Sequence, residues 1–149
     1  MTTSLALVAF NSLMIKALAL NDRSIYPEEL DAFSTAFRGQ RFRLLITDGI
    51  LVEYQKEANS PPALFVQPVL DSLASTQRTV YLDEYNLDDV TLELSGLPSE
   101  HRAFIRDAIA ANASYLITKR QRWLSLSEQT ENAHGLRIVT PAQFVQLES

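Results

Sequence analysis

The stretch YLITKRQRWL, residues Tyr115 to Leu124, decides how the chain is read. Its first residues suit a short buried strand that closes at Thr118. Lys119, Arg120 and Arg122 then follow within four positions. In open α/β sheets the ligand crevice lies beyond the carboxyl ends of the strands. The stretch therefore puts three cations where such a sheet would keep its site, in a chain whose net charge is -5.

Upstream and downstream segments support a sheet of that kind. LALVAF (Leu5 to Phe10) is a continuous apolar run, as a strand covered on both faces would be. SLMIKALAL then carries good helix formers. YPEELDAFSTAF predicts an amphipathic helix, with Pro27 in its first turn and Glu28, Glu29 and Asp31 at the positive end of its dipole. Gly39 is expected to close it. FRLLIT (Phe42 to Thr47) reads as a second strand, and DGILVEYQKEAN as a helix with Ile50, Leu51 and Tyr54 at helical spacing. SPPALFVQPVLDSLAS predicts a further helix, bent or divided at Pro68. TVYL (Thr79 to Leu82) reads as a third strand, and the residues from Leu82 to Leu97 as a loop.

LPSEHRAFIRDAIAANA opens with Pro98 and the cap candidate Ser99, with Phe104, Ala108 and Ala111 on one face. LRIV (Leu136 to Val139) is a last strand, and TPAQFVQLE starts a closing helix with Thr140 as cap and Pro141 in its first position. Strands alternate with helices throughout. The expected architecture is a single α/β domain over residues 1–149 with three layers: a mainly parallel sheet of about four or five strands between helices.

Composition narrows the function classes. A chain of 149 residues with 46% hydrophobic residues can bury a core without disulfides or a structural metal. The absence of Cys excludes thiolate zinc sites and a Cys nucleophile, and it fits a reducing, cytoplasmic setting. The apolar start is interrupted by Asn11, Ser12 and Lys16 and has no basic region before Leu5, so neither a membrane span nor a signal peptide is expected. The acidic balance argues against a wholly basic nucleic-acid binder. Charge is unevenly spread, however. Asp83, Glu84, Asp88, Asp89 and Glu93 crowd one stretch, whereas Arg102, Arg106, Lys119, Arg120 and Arg122 crowd another.

The acidic stretch lacks the spacing of an EF-hand and reads as a solvated loop. His101 and His134 are far apart in sequence, and no phosphate-cradling glycine motif or nucleophile elbow is present.

The order of these segments resembles the PIN domain family, in its bacterial toxin-type form. The likeness runs over most of the chain. FRLLITDGILVEYQKE, AFIRDAIAANASYLIT and LRIVTPAQF carry it most strongly. Each motif alone is weak, but their order is fairly specific. Active members are metal-dependent ribonucleases in which carboxylates converge on Mg²⁺ or Mn²⁺. Hard divalent ions require such oxygen ligands, and the ion then activates water and stabilises charge on phosphate.

The resemblance assigns the family's acidic positions one at a time. The acid ending the first strand falls on Phe10, followed by Asn11 and Ser12. The acid of the helix after the second strand falls on Glu53. The acid near the start of the alanine-rich helix falls on Arg102, and the one two residues after the strand-ending Thr118 falls on Arg120. One acid of four remains. Arg keeps its proton and offers a metal no lone pair. This set should repel a divalent cation, so nuclease chemistry is expected to be lost and no cofactor is expected.

Glu53 then has two readings: an exposed helix residue, or a partner of Arg102 or Arg120 that substitutes an ion pair for the metal. Asp48 and Asp107 are the alternative acids. Asp48 reads as an early-turn residue complementing the helix dipole. Asp107 lies five residues past Arg102, turned about 140° from it on a helix, and reads as solvent-facing or Arg-paired.

The basic cluster reads as a solvated face or, together with Asn11, Ser12 and Thr118, as a site for RNA phosphate or an acidic partner. Trp123 could stack a base but reads better as core, and Arg38, Arg41 and Arg43 form a second basic patch. The expected function is a non-catalytic PIN-like protein that binds RNA, a protein partner such as an antitoxin, or a second copy of itself. The alternatives are a Mg²⁺- or Mn²⁺-dependent ribonuclease built from Glu53, Asp107 and Asp48, and an interaction domain without nucleic-acid contact.

Overall fold

A computed structural model describes residues 6–20, 22–38, 41–57, 71, 73–76, 79–82 and 96–148. Strand β1 (Ala6–Phe10) leads into helix α1 (Ser12–Leu20), and α2 (Pro27–Phe37) follows. Next come β2 (Phe42–Thr47), α3 (Asp48–Glu57) and β3 (Thr79–Leu82). The second half holds α4 (Ser99–Ala110), β4 (Tyr115–Ile117), α5 (Gln121–Leu124), α6 (Ser127–His134), β5 (Arg137–Val139) and α7 (Pro141–Glu148). The strands form one five-stranded sheet in the order β3-β2-β1-β4-β5. Every neighbouring pair is parallel, from Leu44 beside Thr79 at one edge to Ile117 beside Val139 at the other.

Burial explains why these strands are apolar on both faces. Val8, Ala9, Phe10, Leu44, Leu45, Leu116 and Ile117 are all fully buried. Each large apolar side chain so placed contributes about 1.5–3 kcal/mol relative to exposure. Helix α1 packs on α2 and α3, α3 on α4, and α2 on α7. Among the described residues no helix is long and apolar enough to cross a membrane.

The order reverses direction between β1 and β4. That reversal is the switch point at which open α/β sheets place a ligand crevice, beyond the strand carboxyl ends. Here it brings Asn11 and Ser12, after β1, next to Thr118, Lys119 and Arg120, after β4.

Several local expectations are met by their own hydrogen bonds. Thr140 and Gln143 form a reciprocal cap at α7: Gln143 N–H donates to Thr140 Oγ1 at 3.1 Å, and Thr140 N–H to Gln143 Oε1 at 2.9 Å. Ser99 is different. It is the first residue of α4, and Pro98 holds the cap position without a side-chain bond. Gly135 ends α6 with φ +74°, a left-handed conformation that a Cβ would disfavour. The short helices α5 and α6, absent from the sequence reading, occupy the connection between β4 and β5. The expected stop at Gly39, the helix around Pro68 and the acidic stretch Asp83 to Glu93 lie outside the described residues.

Candidate functional site: the cleft beyond strands β1 and β4

The cleft begins with the chain leaving β1. Asn11 caps α1: its Oδ1 accepts the Leu13 N–H at 3.1 Å, and its carbonyl accepts from Met14 N–H at 2.8 Å. Asn11 and Ser12 are both buried. On the neighbouring strand Thr118 is fully buried, and its Oγ1 accepts the Arg120 N–H at 3.1 Å. This bond turns the chain and presents Arg120 to the cleft. Glu53 enters from α3, Glu100, His101 and Phe104 from α4, and Trp123 from α5. The open volume between them is only about 10 Å³, room for roughly one water.

Phe10 does not line this cleft. Its ring stacks on Phe33 of α2 with centroids 4.3 Å apart, and Phe37 lies 5.9 Å away. Its carbonyl accepts a 2.7 Å bond from the buried Tyr54 hydroxyl, and burial holds that phenol far above its ordinary pKa. The position that the family resemblance gives to an acid is thus the centre of an apolar, fully packed cluster.

Glu53 does reach the cleft, but its partner corrects the expectation. It pairs with Lys56, one helical turn away, at 3.0 Å, and not with Arg102 or Arg120. Lys56 also approaches Glu100 at 3.8 Å. The i,i+3 spacing on one helix brings Lys56 to Glu53 more readily than a residue on another element.

Arg102 is likewise displaced from its expected place. Phe104 fixes the inward phase of α4, and the residues three and four positions before it are His101 and Glu100. Arg102 falls off that face and is half-buried.

Asp107 is not solvent-facing. It is 4% exposed, and Thr47 Oγ1 donates to its Oδ2 at 2.6 Å. The same Thr47 oxygen accepts the Ile50 N–H at 3.1 Å and so starts α3. Gly49 makes the approach possible, since a Cβ there would stand 2.7 Å from Asp107 Oδ2. Asp48 occupies the first turn of α3 as expected, where it also accepts a bond from the Tyr81 hydroxyl.

The basic stretch divides. Lys119 is paired with Glu28 at 3.2 Å and with the buried Glu29 at 2.5 Å, and its bond to Glu29 raises its pKa most. Arg122 and Arg106 are exposed. Arg120 is half-buried, with its guanidinium 5.9 Å from the Trp123 ring centre and its Nε buried without a hydrogen-bond partner. Trp123 is core, as expected, at 1% exposure, and its indole N–H is buried and unpaired too. In the second basic patch, Arg41 pairs with Glu148 at 2.9 Å and Arg38 donates to Ser34 at 2.9 Å.

His101, not singled out from sequence, meets the Trp123 ring edge-on at 5.2 Å. Burial holds its imidazole below the ordinary pKa; Arg120 adds to this, and Glu53 and Glu100 oppose it. The signal for His101 was available in the phase set by Phe104.

The site therefore presents one guanidinium, one imidazole, the Lys-paired Glu53 and the exposed Glu100. Among the described residues no group of three or more His, Cys, Asp or Glu side chains could hold a metal ion. The hard divalent ion implied by the family resemblance does not fit this donor set.

A five-stranded parallel sheet in this order, flanked by helices, with its crevice at the β1–β4 reversal, is a PIN-like α/β fold. A solved structure shares it: VapBC2 from Rickettsia felis bound to a DNA fragment from their promoter. The TM-score is 0.57 at 16% identity, over 90% of this chain and 98% of that one. No family profile matches the chain, and no curated protein does. At this identity the likeness establishes the fold.

Proposed function

We propose that this chain is a PIN-like domain that has exchanged metal-dependent nuclease chemistry for binding, and that it works in complex with a partner protein in a toxin–antitoxin-like setting. One observation carries the reading: at the switch point Arg120 occupies the cleft, while the lone carboxylate of the family set, Glu53, is paired with Lys56. A guanidinium stabilises anions and repels a divalent cation. Phe10, locked under Phe33 and Phe37, supports the same reading, because an acid there would have to charge inside an apolar cluster. The alternative ribonuclease needs Glu53, Asp107 and Asp48 to share one ion. Asp107 instead accepts a bond from Thr47 in the buried start of α3, and Asp48 contacts Tyr81.

The structurally similar VapBC2 is a complex on promoter DNA. That supports a partnered mode of action; RNA, expected from the family resemblance, is the competing ligand. The test is an RNA cleavage assay titrated with Mg²⁺ and with Mn²⁺, using the wild-type chain and Glu53→Gln. The expected result is no metal-dependent cleavage by either protein. Cleavage that requires the metal and disappears in Glu53→Gln would overturn the proposal.

A further inference from the structure

The closed cleft beyond β1 and β4 has donors in its walls that the fold leaves without acceptors. Arg120 and Trp123 both line it, and each holds a buried N–H, at Nε and Nε1, that no described residue satisfies. Trp123 is 1% exposed, so bulk solvent does not satisfy its indole either. Native folds rarely leave buried donors unpaired, because each forfeits its bonds to water. Asn11 and Ser12, also in the wall, open the nine-residue helix α1 and bring the positive end of its dipole to the same place.

Charge and size select the occupant. Two carboxylates line the cavity, but Lys56 holds Glu53 at 3.0 Å and approaches Glu100 at 3.8 Å, and the Glu100 side chain is 53% exposed. His101 adds no charge: burial, helped by Arg120, keeps its imidazole neutral at about pH 7.5. Arg120 is in no ion pair among the described residues. The volume of about 10 Å³ admits a body about the size of one water and excludes a phosphate or a carboxylate. A water could accept both N–H bonds, yet it would leave the guanidinium charge without a counter-charge. A monatomic anion accepts both bonds and supplies that charge. We propose that the cleft binds one chloride ion, held by Arg120 Nε and Trp123 Nε1. Where the family resemblance implies a cation, this chain holds the opposite charge. The inference rests on the reading above that the cation site is lost, and it names the ligand of that same cleft.

The test titrates sodium chloride into the full chain against sodium gluconate, at constant ionic strength. The thermal midpoint should rise and saturate, by about 2–4 °C once chloride is about fivefold above its Kd. Sodium bromide gives a second readout through Trp123, the only Trp of the chain. A bromide seated against the indole should quench its fluorescence saturably, whereas collisions from solvent quench in proportion to concentration. Arg120→Met removes the guanidinium and should abolish both responses. Arg137→Met, which removes an exposed cation at the start of β5, should keep both. Circular dichroism confirms that the variants are folded, and if Arg120→Met is not, the wild-type titrations decide. A midpoint that ignores chloride, or quenching that never saturates, would mean that the cleft takes water only, and would overturn the inference. So would halide responses that survive Arg120→Met or vanish in Arg137→Met. Metal-dependent cleavage in the assay above would instead sink the reading of a lost cation site, whatever the halides do. No cleavage with no halide response sinks the anion site alone.

Discussion

Asp107 and Arg120 are two charged residues drawn into the interior, and the protein treats them in opposite ways. Asp107 is held at 2.6 Å by Thr47, which at the same time starts α3, and Gly49 leaves room for its carboxylate. Arg120 is turned into a cleft by Thr118 and then left with a buried Nε that no described residue satisfies, beside a Trp123 indole in the same condition. A buried polar group with bonds to the surrounding fold serves the fold, whereas one left open at a switch point is available to something else. The difference separates a charge bonded into the fold from one left open, where residue type cannot.

Attempting to restore the acid of the family pattern should produce the largest effect. Phe10→Asp removes a fully buried ring from the Phe33–Phe37 cluster and replaces it with a group that must stay neutral or force a charge inside. A loss of about 4 kcal/mol or more in chemical denaturation is expected, with no gain of Mg²⁺ affinity by calorimetry. A well-folded variant that binds Mg²⁺ would break the comparison outright.

Asp107→Ala should come next, at about 2–3 kcal/mol, because it strands the Thr47 hydroxyl at the start of α3. Asp107→Asn, which keeps an acceptor oxygen, should cost clearly less. If Asp107→Ala left stability unchanged, Asp107 would have to be regrouped with the site. Tyr54→Phe should cost about 1 kcal/mol, the ordinary net value of one buried hydrogen bond, here to the Phe10 carbonyl.

Smaller effects distinguish the cleft itself. His101 has a folded-state pKa depressed below its ordinary 6.5, chiefly by burial. The unfolded chain therefore binds the proton more readily, so stability is full above about pH 6.5 and falls as the pH drops below it. His101→Gln should flatten that part of a denaturation-versus-pH profile, and an unchanged slope would remove His101 from the cleft's electrostatics. Glu53→Gln should leave the thermal midpoint within measurement scatter, since Glu53 is held by a solvent-exposed Lys56. A clear destabilisation would mean that Glu53 holds the cleft together after all.

The fold was legible because its signals are local. LALVAF and FRLLIT are unbroken apolar runs, as doubly covered strands require, and Thr140-Pro141 with Gln143 carries its own cap. The site was legible only in part. The place of Arg120 follows from its distance past a strand end. The place of Arg102 depended on the rotational phase of α4, where a one-residue difference turns a side chain by about 100° and substitutes His101 for it. The α5–α6 connection was missed because its short helices bury only scattered residues, such as Trp123 and Thr130.

The sequence by itself determined the parallel α/β architecture, since residue type and periodicity suffice for it; that three acids are replaced is an expectation drawn from the family resemblance. Only the tertiary structure decided which charges are spent. Glu53 on Lys56, Lys119 on Glu28 and Glu29, and Asp107 on Thr47 are pairings in which spatial neighbours compete for each group, and spacing along the chain does not set the winner. In the cleft, what that competition leaves over among the described residues is Arg120, a guanidinium in no ion pair that also lines an apolar groove.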